Sequence, residues 1–201
     1  MSTPNLSVDA AATTVFRTNF VGLLSIMAVD SPTLVVCCGL PGVGKSAASA
    51  HLTERLSAIR HRSDVIRKEL FADPEYTAAE TAATYDELLD RARDDLAAGS
   101  AVVLDATFKT SQLRDRAAAV AYETNAGFKL ICVVCDQDVV ETRIENRTGS
   151  VSDADLRVYY RLKESFEPID REHVVVDNSG SLAATRRQLD QSVLNLVADR
   201  P

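Results

Sequence analysis

The 201-residue chain contains no run of about twenty apolar residues, the length that a membrane-spanning helix requires. The apolar run FVGLLSIMAV at residues 20–29 is too short to cross a bilayer, and it lacks the basic region and the A-x-A cleavage site of a secretory signal. Positive charge is not in excess either, since the net charge is -7 and the pI is near 5.0. We therefore expect no membrane insertion and no extended nucleic-acid surface, while the end of a nucleic acid strand stays open as a substrate.

Cysteine is scarce, and its four positions all lie inside or at the end of aliphatic runs: Cys37, Cys38, Cys132 and Cys135. Cys132 and Cys135 have the spacing of a CxxC pair, but no histidine and no second CxxC pair lies nearby in the sequence. We expect reduced thiols buried in the core and a cytoplasmic location. A redox or metal-binding pair is the alternative.

The chain is long enough for one well-packed domain. Its alternating apolar pattern begins only after residue 31, so we expect an N-terminal extension at residues 1–30 and a single domain at residues 31–201. Met27 stands just ahead of this pattern. We therefore expect the first 26 residues to be either dispensable or a mis-assigned start.

Short aliphatic runs alternate with longer amphipathic segments throughout that domain. The runs predict strands at residues 33–38, 57–61, 101–106, 128–135 and 173–177. The amphipathic segments predict helices at about residues 45–56, 64–72, 77–98, 110–125, 137–147, 152–167 and 181–199. Because continuously apolar strands are covered on both faces, the pattern predicts a three-layer α/β/α sandwich around a parallel sheet of about five strands.

The segment GLPGVGKS at residues 39–46 fits the pattern G-x-x-x-x-G-K-[ST]. It follows a predicted strand and opens a predicted helix, which is the context that a phosphate-binding loop requires. Glycines let backbone amides turn toward phosphate oxygens, the lysine reaches the outer phosphates, and the serine hydroxyl ligates Mg²⁺. We predict an ATP site built from Gly39, Gly42, Val43, Gly44, Lys45, Ser46 and Ala47. The alternative is a glycine-rich turn without a ligand.

Asp105 ends the apolar run AVVLD. A phosphate-binding loop needs a carboxylate at the end of a neighbouring strand to hold the metal and its water shell. We predict that Asp105 and Ser46 form the Mg²⁺ site. Alternatively, Asp105 only caps the segment that follows it.

Asp64 lies eighteen residues after Ser46, one helix and one short strand later. This spacing places it at the carboxyl end of the second strand, on the same edge of the sheet as the P-loop. We predict that its carboxylate accepts a proton from the hydroxyl of a phosphoryl acceptor. In the alternative, Ser63 caps a helix, Asp64 complements the helix dipole, and Arg67 pairs with Asp64 across one turn. Both interpretations can hold at once.

Four sequence blocks together resemble the P-loop kinases. They are GLPGVGKS, SDVIRK, VVLDATF, and ETRIENRTG with DADLRVYYRLKESFEP after it. The resemblance covers about residues 33–178. The branches of this family include the 5′-kinase domain of phage polynucleotide kinase, zeta-toxin-like kinases, gluconate-kinase-like enzymes, and AAA-type ATP-binding domains fused to aminoglycoside-phosphotransferase-like proteins. It implies a nucleotide-kinase fold with a helical lid at about residues 141–160.

The resemblance also implies roles for single residues. The family's D-x-x-R element supplies the general base and an orienting arginine, which correspond to Asp64 and Arg67. Its lid arginines clamp the transferring phosphate, and Arg147 is the better match, with Arg143 in support. The alternative for Arg143 and Arg147 is a solvated charged face, with Arg143 pairing to a neighbouring glutamate at position 141 or 145.

Weaker matches follow the third and fifth strands. Thr107, Phe108 and Arg114 correspond to positions near the acceptor. Asp177 and Asn178 correspond to a loop near the adenine base, although an asparagine after a strand is commonly a turn former.

The sequence as a whole predicts an enzyme that uses ATP and Mg²⁺ to phosphorylate a hydroxyl group of a small molecule or of a nucleic acid end. An ATP-binding switch, or a slow ATPase without an acceptor, is the alternative. A carboxylate that faces the terminal phosphate from the acceptor side has no role in a pure switch. Guanine recognition is not expected, because no N-K-x-D element occurs late in the chain.

Overall fold

The computed structural model describes residues 32–146 and 155–198. Their five strands form one sheet with the order β2-β3-β1-β4-β5, and every neighbouring pair is parallel. The strands are β1 Thr33–Cys38, β2 Ile59–Arg62, β3 Val102–Asp105, β4 Gly127–Val134 and β5 Val174–Asp177. The predicted parallel sheet of about five strands is confirmed.

Seven helices connect and cover these strands within the described ranges. They are α1 Lys45–Leu56, α2 Ser63–Leu70, α3 Ala78–Ala97, α4 Ser111–Glu123, α5 Gln137–Glu145, α6 Leu156–Glu164 and α7 Leu182–Ala198. Most predicted boundaries differ from these by one to three residues. The second strand starts two residues later than predicted, because Ser57 ends α1 in the left-handed conformation with φ 49°.

The central strand β1 is buried on both faces, as its unbroken apolar sequence predicts. Leu34, Val36 and Cys38 face the layer that contains α3 and α4, while Val35 and Cys37 face the layer of α1 and α7. The predicted three-layer α/β/α sandwich is therefore confirmed. Within the described ranges, no helix combines the length and the apolar character that a bilayer crossing needs.

Strand register brings the predicted site residues to one edge of the sheet. Asp105 of β3 pairs with Cys37 of β1 on one side and with Arg62 of β2 on the other. The P-loop, Asp105 and Asp64 thus all follow the carboxyl ends of adjacent parallel strands, as expected for a ligand site in an open α/β sheet.

Some predictions fall on parts of the chain that the structure does not describe. The predicted N-terminal extension at residues 1–30 lies outside the described residues, and so does Arg147 in the segment 147–154. Of the predicted lid at about residues 141–160, the structure describes the flanking parts, the end of α5 and the start of α6.

Candidate active site

The P-loop connects the end of β1 to the start of α1. Its first amide, on Gly39, donates a hydrogen bond of 3.2 Å to the carbonyl oxygen of Thr107 in the loop after β3. Helix α1 then begins at Lys45, with Gly44 as the N-cap residue and no capping hydrogen bond from a described side chain. The amides at this helix start are therefore available to an anion, and the helix dipole favours negative charge there.

Gly44 occupies a position where a side chain does not fit. Its φ of +97° lies in the left-handed region, and a Cβ atom there would come within 2.0 Å of Nδ2 of Asn178. The same Nδ2 donates to the carbonyl oxygen of Val43 at 2.7 Å, while Oδ1 of Asn178 accepts a 2.8 Å bond from the hydroxyl of Thr185. Asn178, which the resemblance places near the adenine base, thus holds the backbone of the P-loop at Val43.

Lys45, the lysine of the P-loop, is the first residue of α1. Its Nζ donates to the carbonyl oxygen of Leu40 at 2.8 Å. Burial lowers the pKa of Lys45, and the negative charges of Asp105 and Asp64 partly oppose this shift. Both carboxylates therefore act electrostatically on the P-loop lysine.

Asp105 is buried, with 5% of its surface exposed. Its Oδ2 accepts hydrogen bonds from Oγ of Ser49 at 3.1 Å and from Nη2 of Arg60 at 2.7 Å, and that Nη2 also donates to the carbonyl oxygen of Ser46 at 3.0 Å. The alternative role of Asp105 as a cap is wrong, because Thr110 caps the following helix. Asp105 is instead tied to the first turn of α1.

A Mg²⁺ ion would find two protein oxygen atoms at this position. The described hydrogen bonds of Asp105 all reach Oδ2, so Oδ1 stays available, and Ser46 is exposed at the start of α1. Hard oxygen donors are the ligands that Mg²⁺ prefers, and it commonly takes one or two from the protein and the others from phosphates and water. The two oxygen donors fit a Mg²⁺ ion whose other ligands come from phosphates and water. Among the described residues, no group of three or more histidine, cysteine, aspartate or glutamate side chains is placed to hold a metal ion.

Asp64 has different partners from those predicted. Its Oδ2 accepts a 2.7 Å hydrogen bond from Nη2 of Arg62, and its Oδ1 accepts one of 2.9 Å from the amide of Val65. The alternative interpretation is wrong about the pair with Arg67, because Arg62 is the described ionic partner of Asp64. It is also wrong about the cap by Ser63, because α2 begins at Ser63 and no described side chain caps it.

Arg62 connects Asp64, the predicted base, with Asp105, the predicted metal ligand. While Nη2 of Arg62 binds Asp64, its Nε lies 3.6 Å from Oδ2 of Asp105. Arg60 and Arg62 are two residues apart on the edge strand β2. Because successive side chains of a strand point to opposite faces, these two side chains lie on the same face of the sheet. These two arginines were not predicted from the sequence, although their spacing of two residues in IRHR, next to Asp64, is the signal that identifies them.

Arg67 lies on α2, away from Asp64. Its side chain is only 9% exposed, its Nη2 donates to the hydroxyl of Thr81 at 3.2 Å, and its Nη1 lies 3.5 Å from Oε2 of Glu80. The guanidinium also stacks on the ring of Tyr76, 4.8 Å from the centroid. The catalytic role predicted for Arg67 stays a prediction.

Arg143 on α5 reaches the back of the P-loop. Its Nη2 donates to the carbonyl oxygen of Asn178 at 2.9 Å, and its Nη1 lies 3.2 Å from Sγ of Cys135. Nη1 is also 3.9 Å from the Cβ position at Gly44. The alternative pairing of Arg143 with Glu141 or Glu145 is not among the described contacts, and Glu141 accepts its hydrogen bonds from Tyr160 and Gln137.

The loop after β3 is fixed from two sides. The hydroxyl oxygen of Tyr85 accepts a 2.9 Å hydrogen bond from the amide of Phe108, whose φ is +45°. Arg114 is 2% exposed and donates to the carbonyl oxygens of Phe108, Glu167 and Pro168. This arginine therefore holds the loop together, and its predicted place near the acceptor stays a prediction.

A cleft of about 580 Å³ opens beside the first P-loop residues, between the sheet and α6. Its lining includes Leu40, Cys132, Cys135, Tyr159 and Val175. Cys37 and Cys38 are buried as predicted, whereas Cys132 and Cys135 are only half-buried, and the described residues contain no disulfide. Part of the predicted cysteine core is thus a cleft wall.

Comparison with known proteins identifies the kind of domain that carries this site. A family model described as an AAA domain matches residues 34–169, more than half of the chain. An uncharacterized protein of Mycobacterium tuberculosis is 31% identical over 133 residues, which cover 60% of this chain and 27% of that protein. An uncharacterized protein of Mycobacterium bovis gives the same values. The chain therefore spans about a quarter of the length of the curated relatives it matches.

Several solved structures share the fold. A gluconokinase from Sinorhizobium meliloti is 21% identical with a TM-score of 0.63, covering 85% of this chain and 99% of that one. The APS kinase CysC from Mycobacterium tuberculosis, in complex with AMPPNP and APS, is 19% identical with a TM-score of 0.65 and coverages of 84% and 99%. Kti12 from Chaetomium thermophilum, in complex with ADP-AlF3, is 19% identical with a TM-score of 0.62 and coverages of 80% and 97%. Together with the family match, this common fold confirms the expected resemblance to P-loop kinases.

Proposed function

We propose that this chain, which belongs to the AAA-domain family, transfers the γ-phosphate of ATP to a hydroxyl group of a small molecule or of a nucleic acid end. One observation carries the proposal. Asp64, at the carboxyl end of β2, is joined through a single guanidinium group, that of Arg62, to Asp105 beside the P-loop. A carboxylate at this position has a use in phosphoryl transfer to a hydroxyl, where a base must accept the proton of the nucleophile.

The fold comparisons support the choice of nucleotide. Two of the proteins with the same fold were solved with the ATP analogue AMPPNP or with ADP-AlF3, and several bear the name kinase. The P-loop in this chain has the glycine conformations and the uncapped helix start that phosphate binding requires. ATP is therefore the ligand that we assign to it.

In the proposed reaction, the P-loop amides and Lys45 bind the outer phosphates and balance their charge. The acceptor's hydroxyl oxygen bonds to the γ-phosphorus, the bond from that phosphorus to the bridging oxygen breaks, and ADP leaves with the electron pair. The hydroxyl proton moves to Asp64. We assign Arg67 to orienting the acceptor and Arg147 to clamping the transferring phosphate. Arg143 is assigned to nucleotide binding beside the P-loop.

The metal belongs to the same proposal. Ser46 and Asp105 would hold a Mg²⁺ ion, which when bound neutralises charge on the outer phosphates. Arg60 and Ser49 keep the Asp105 carboxylate in place through its Oδ2 atom. The proposal also includes a lid at about residues 141–160. It further includes a cytoplasmic location, which fits cysteines placed in aliphatic runs.

The test is ADP release from Mg-ATP by the purified chain, alone and with sugars, nucleosides and 5′-hydroxyl oligonucleotides. Asp64→Asn removes the base, and Asp86→Asn is the matched control, because Asp86 forms an exposed ion pair with Arg116 remote from the P-loop. We expect an acceptor to stimulate turnover in the wild type and in Asp86→Asn, but not in Asp64→Asn. A slow rate that no acceptor changes and that Asp64→Asn leaves intact would favour the ATP-binding switch or ATPase.

A further inference from the structure

The acceptor side of the site is rich in arginine although the chain as a whole is acidic. Arg62 binds Asp64, Arg60 binds Asp105, and Arg67 follows Asp64 on α2, whereas the net charge of the chain is -7. A cluster of guanidinium groups at the mouth of a phosphate site attracts anions, and planar guanidinium donors match carboxylate and phosphate oxygens.

These arginines are not fully paired. Nε of Arg60, Nε of Arg62 and Nη1 of Arg67 are buried and have no hydrogen-bond partner among the described residues. The same holds for Oε2 of Glu80, which lies 3.5 Å from Nη1 of Arg67, beyond good hydrogen-bond geometry. Buried donors without partners are costly, so an anion that binds Arg60 and Arg62 supplies acceptors that their Nε atoms lack.

Each carboxylate oxygen of Asp64, in contrast, already has a partner in the protein. Arg62 donates to one of its carboxylate oxygens and the amide of Val65 to the other. In this arrangement Asp64 is therefore held away from its proposed work as a proton acceptor.

We propose that the acceptor carries a carboxylate or phosphate group besides its hydroxyl, and that this group draws Arg62 away from Asp64, so that the base is released only when the acceptor is bound. The inference rests on the proposed function. Arg62 is then a positioning residue: it holds Asp64 in the resting site and recognises the acceptor together with Arg67. Two properties result, a preference for anionic acceptors and a low rate of ATP hydrolysis in their absence.

The first experiment needs no acceptor. ADP release from Mg-ATP is measured for the full chain, for Arg62→Gln, for the double variant Arg62→Gln with Asp64→Asn, and for Arg116→Gln, which breaks an exposed ion pair elsewhere. We expect Arg62→Gln to raise the acceptor-independent rate about tenfold, since a charge-assisted hydrogen bond no longer holds the base. The double variant should lose this rise, and Arg116→Gln should match the wild type. An unchanged or lower rate in Arg62→Gln overturns the proposal.

The second experiment compares acceptors in pairs that differ by one charged group: ribose with ribose 5-phosphate, glycerol with glycerol 3-phosphate, and glucose with gluconate. For each compound kcat/KM is measured in the wild type, Arg62→Gln and Arg62→Lys. We expect the anionic member to exceed the neutral one by about tenfold or more in the wild type, Arg62→Gln to remove this ratio, and Arg62→Lys to restore part of it.

The outcomes separate the two proposals. If Asp64→Asn abolishes acceptor-stimulated turnover but Arg62→Gln lowers the rates with neutral and anionic acceptors equally, Arg62 has only a structural role and the inference is wrong while the kinase proposal stands. If Mg-ATP does not bind, or if Asp64→Asn changes neither the basal nor the stimulated rate, the proposed function itself fails. A phosphate preference and a carboxylate preference are told apart by which acceptor pair shows the larger ratio.

Discussion

The side-chain amide of Asn178, at the end of β5, donates a 2.7 Å hydrogen bond to the carbonyl oxygen of Val43 in the P-loop. The two residues are 135 positions apart in the sequence. Because Asn178 is 5% exposed and its other amide atom is bonded to Thr185, the contact has little freedom to move. The shape of the P-loop therefore depends on the last strand of the sheet as well as on its own glycines.

Gly44→Ala should abolish ATP binding. The added methyl group would lie 2.0 Å from Nδ2 of Asn178 and would sit at a φ of +97°, so either the P-loop or Asn178 must move. Binding of AMPPNP followed by isothermal titration calorimetry checks this expectation. Gly99→Ala is the matched control, since its φ is +86° but no described atom lies within 4 Å of the added carbon. That variant should lose a little stability, about 1 kcal/mol, and bind AMPPNP normally. Normal AMPPNP binding by Gly44→Ala would contradict the conclusion that no side chain fits at position 44 beside Asn178.

Asp105→Asn and Asp64→Asn should differ in stability although both lose activity. Asp105 is buried against Arg60 and Ser49, so removing its charge leaves the arginine without its ionic partner and should cost roughly 1–3 kcal/mol of unfolding free energy. Asp64 is one-quarter exposed, and its variant should stay within about 1 kcal/mol of the wild type. Urea unfolding of both variants measures the difference. Equal stability losses would mean that the two carboxylates are equally embedded, against the structure.

The fold was predictable because its signals are local. β1 is an unbroken apolar run before a glycine-rich loop, and each later strand is separated from the next by a helix-forming segment, so element type and order follow from periodicity. The position of Asp64 and Asp105 at one edge also followed, since parallel strands must present their carboxyl ends together. Both features follow from the order of strands and helices, which the spacing of apolar residues along the sequence predicts.

Pairing between side chains was harder to predict. Helix spacing suggested that Asp64 pairs with Arg67, but Arg62 on the preceding strand takes that position, and Arg67 turns to Glu80 on the next helix. The i,i+3 contact is worth only a few tenths of a kcal/mol, so tertiary packing outweighs it. The role of Asn178 was missed for the same reason, since no local pattern shows that a residue after β5 reaches Val43.

Arg114→Gln should destabilise the fold more than any ordinary surface substitution. The buried guanidinium donates to the carbonyl oxygens of Phe108, Glu167 and Pro168, which would lose their partner together. Since each unsatisfied buried group costs about 1–3 kcal/mol, we expect a loss of roughly 3 kcal/mol or more in urea unfolding. Arg116→Gln on the same helix breaks only an exposed ion pair and should change stability by less than about 1 kcal/mol. Similar losses in both variants would show that Arg114 is not the anchor of this loop.

Cys132 should react with iodoacetamide at a lower pH than the other cysteines. The Cys38 thiol, opposite Cys132 in the pairing of β1 with β4, lowers the pKa of Cys132 to about 7, while burial raises the pKa of Cys135 in the same cleft. The thiolate is the reactive form, so labelling of Cys132 should rise as pH increases through about 7, and labelling of Cys135 should not rise until well above that range. Cys37 is buried and has a raised pKa, so it should stay unlabelled while the chain is folded.

Peptide mass spectrometry after short labelling pulses from pH 6 to pH 10 resolves these residues. Cys38→Ala is the informative variant, because it removes the Cys38 thiol and should return the midpoint for Cys132 toward the ordinary pKa of a thiol, about 8.5. In urea all four cysteines should share that ordinary midpoint, which shows that the shift requires the contact between β1 and β4. A midpoint for Cys132 that is the same in the folded wild type, in Cys38→Ala and in urea would mean that the two thiols do not interact, and Cys132 would then be an ordinary wall residue of the cleft.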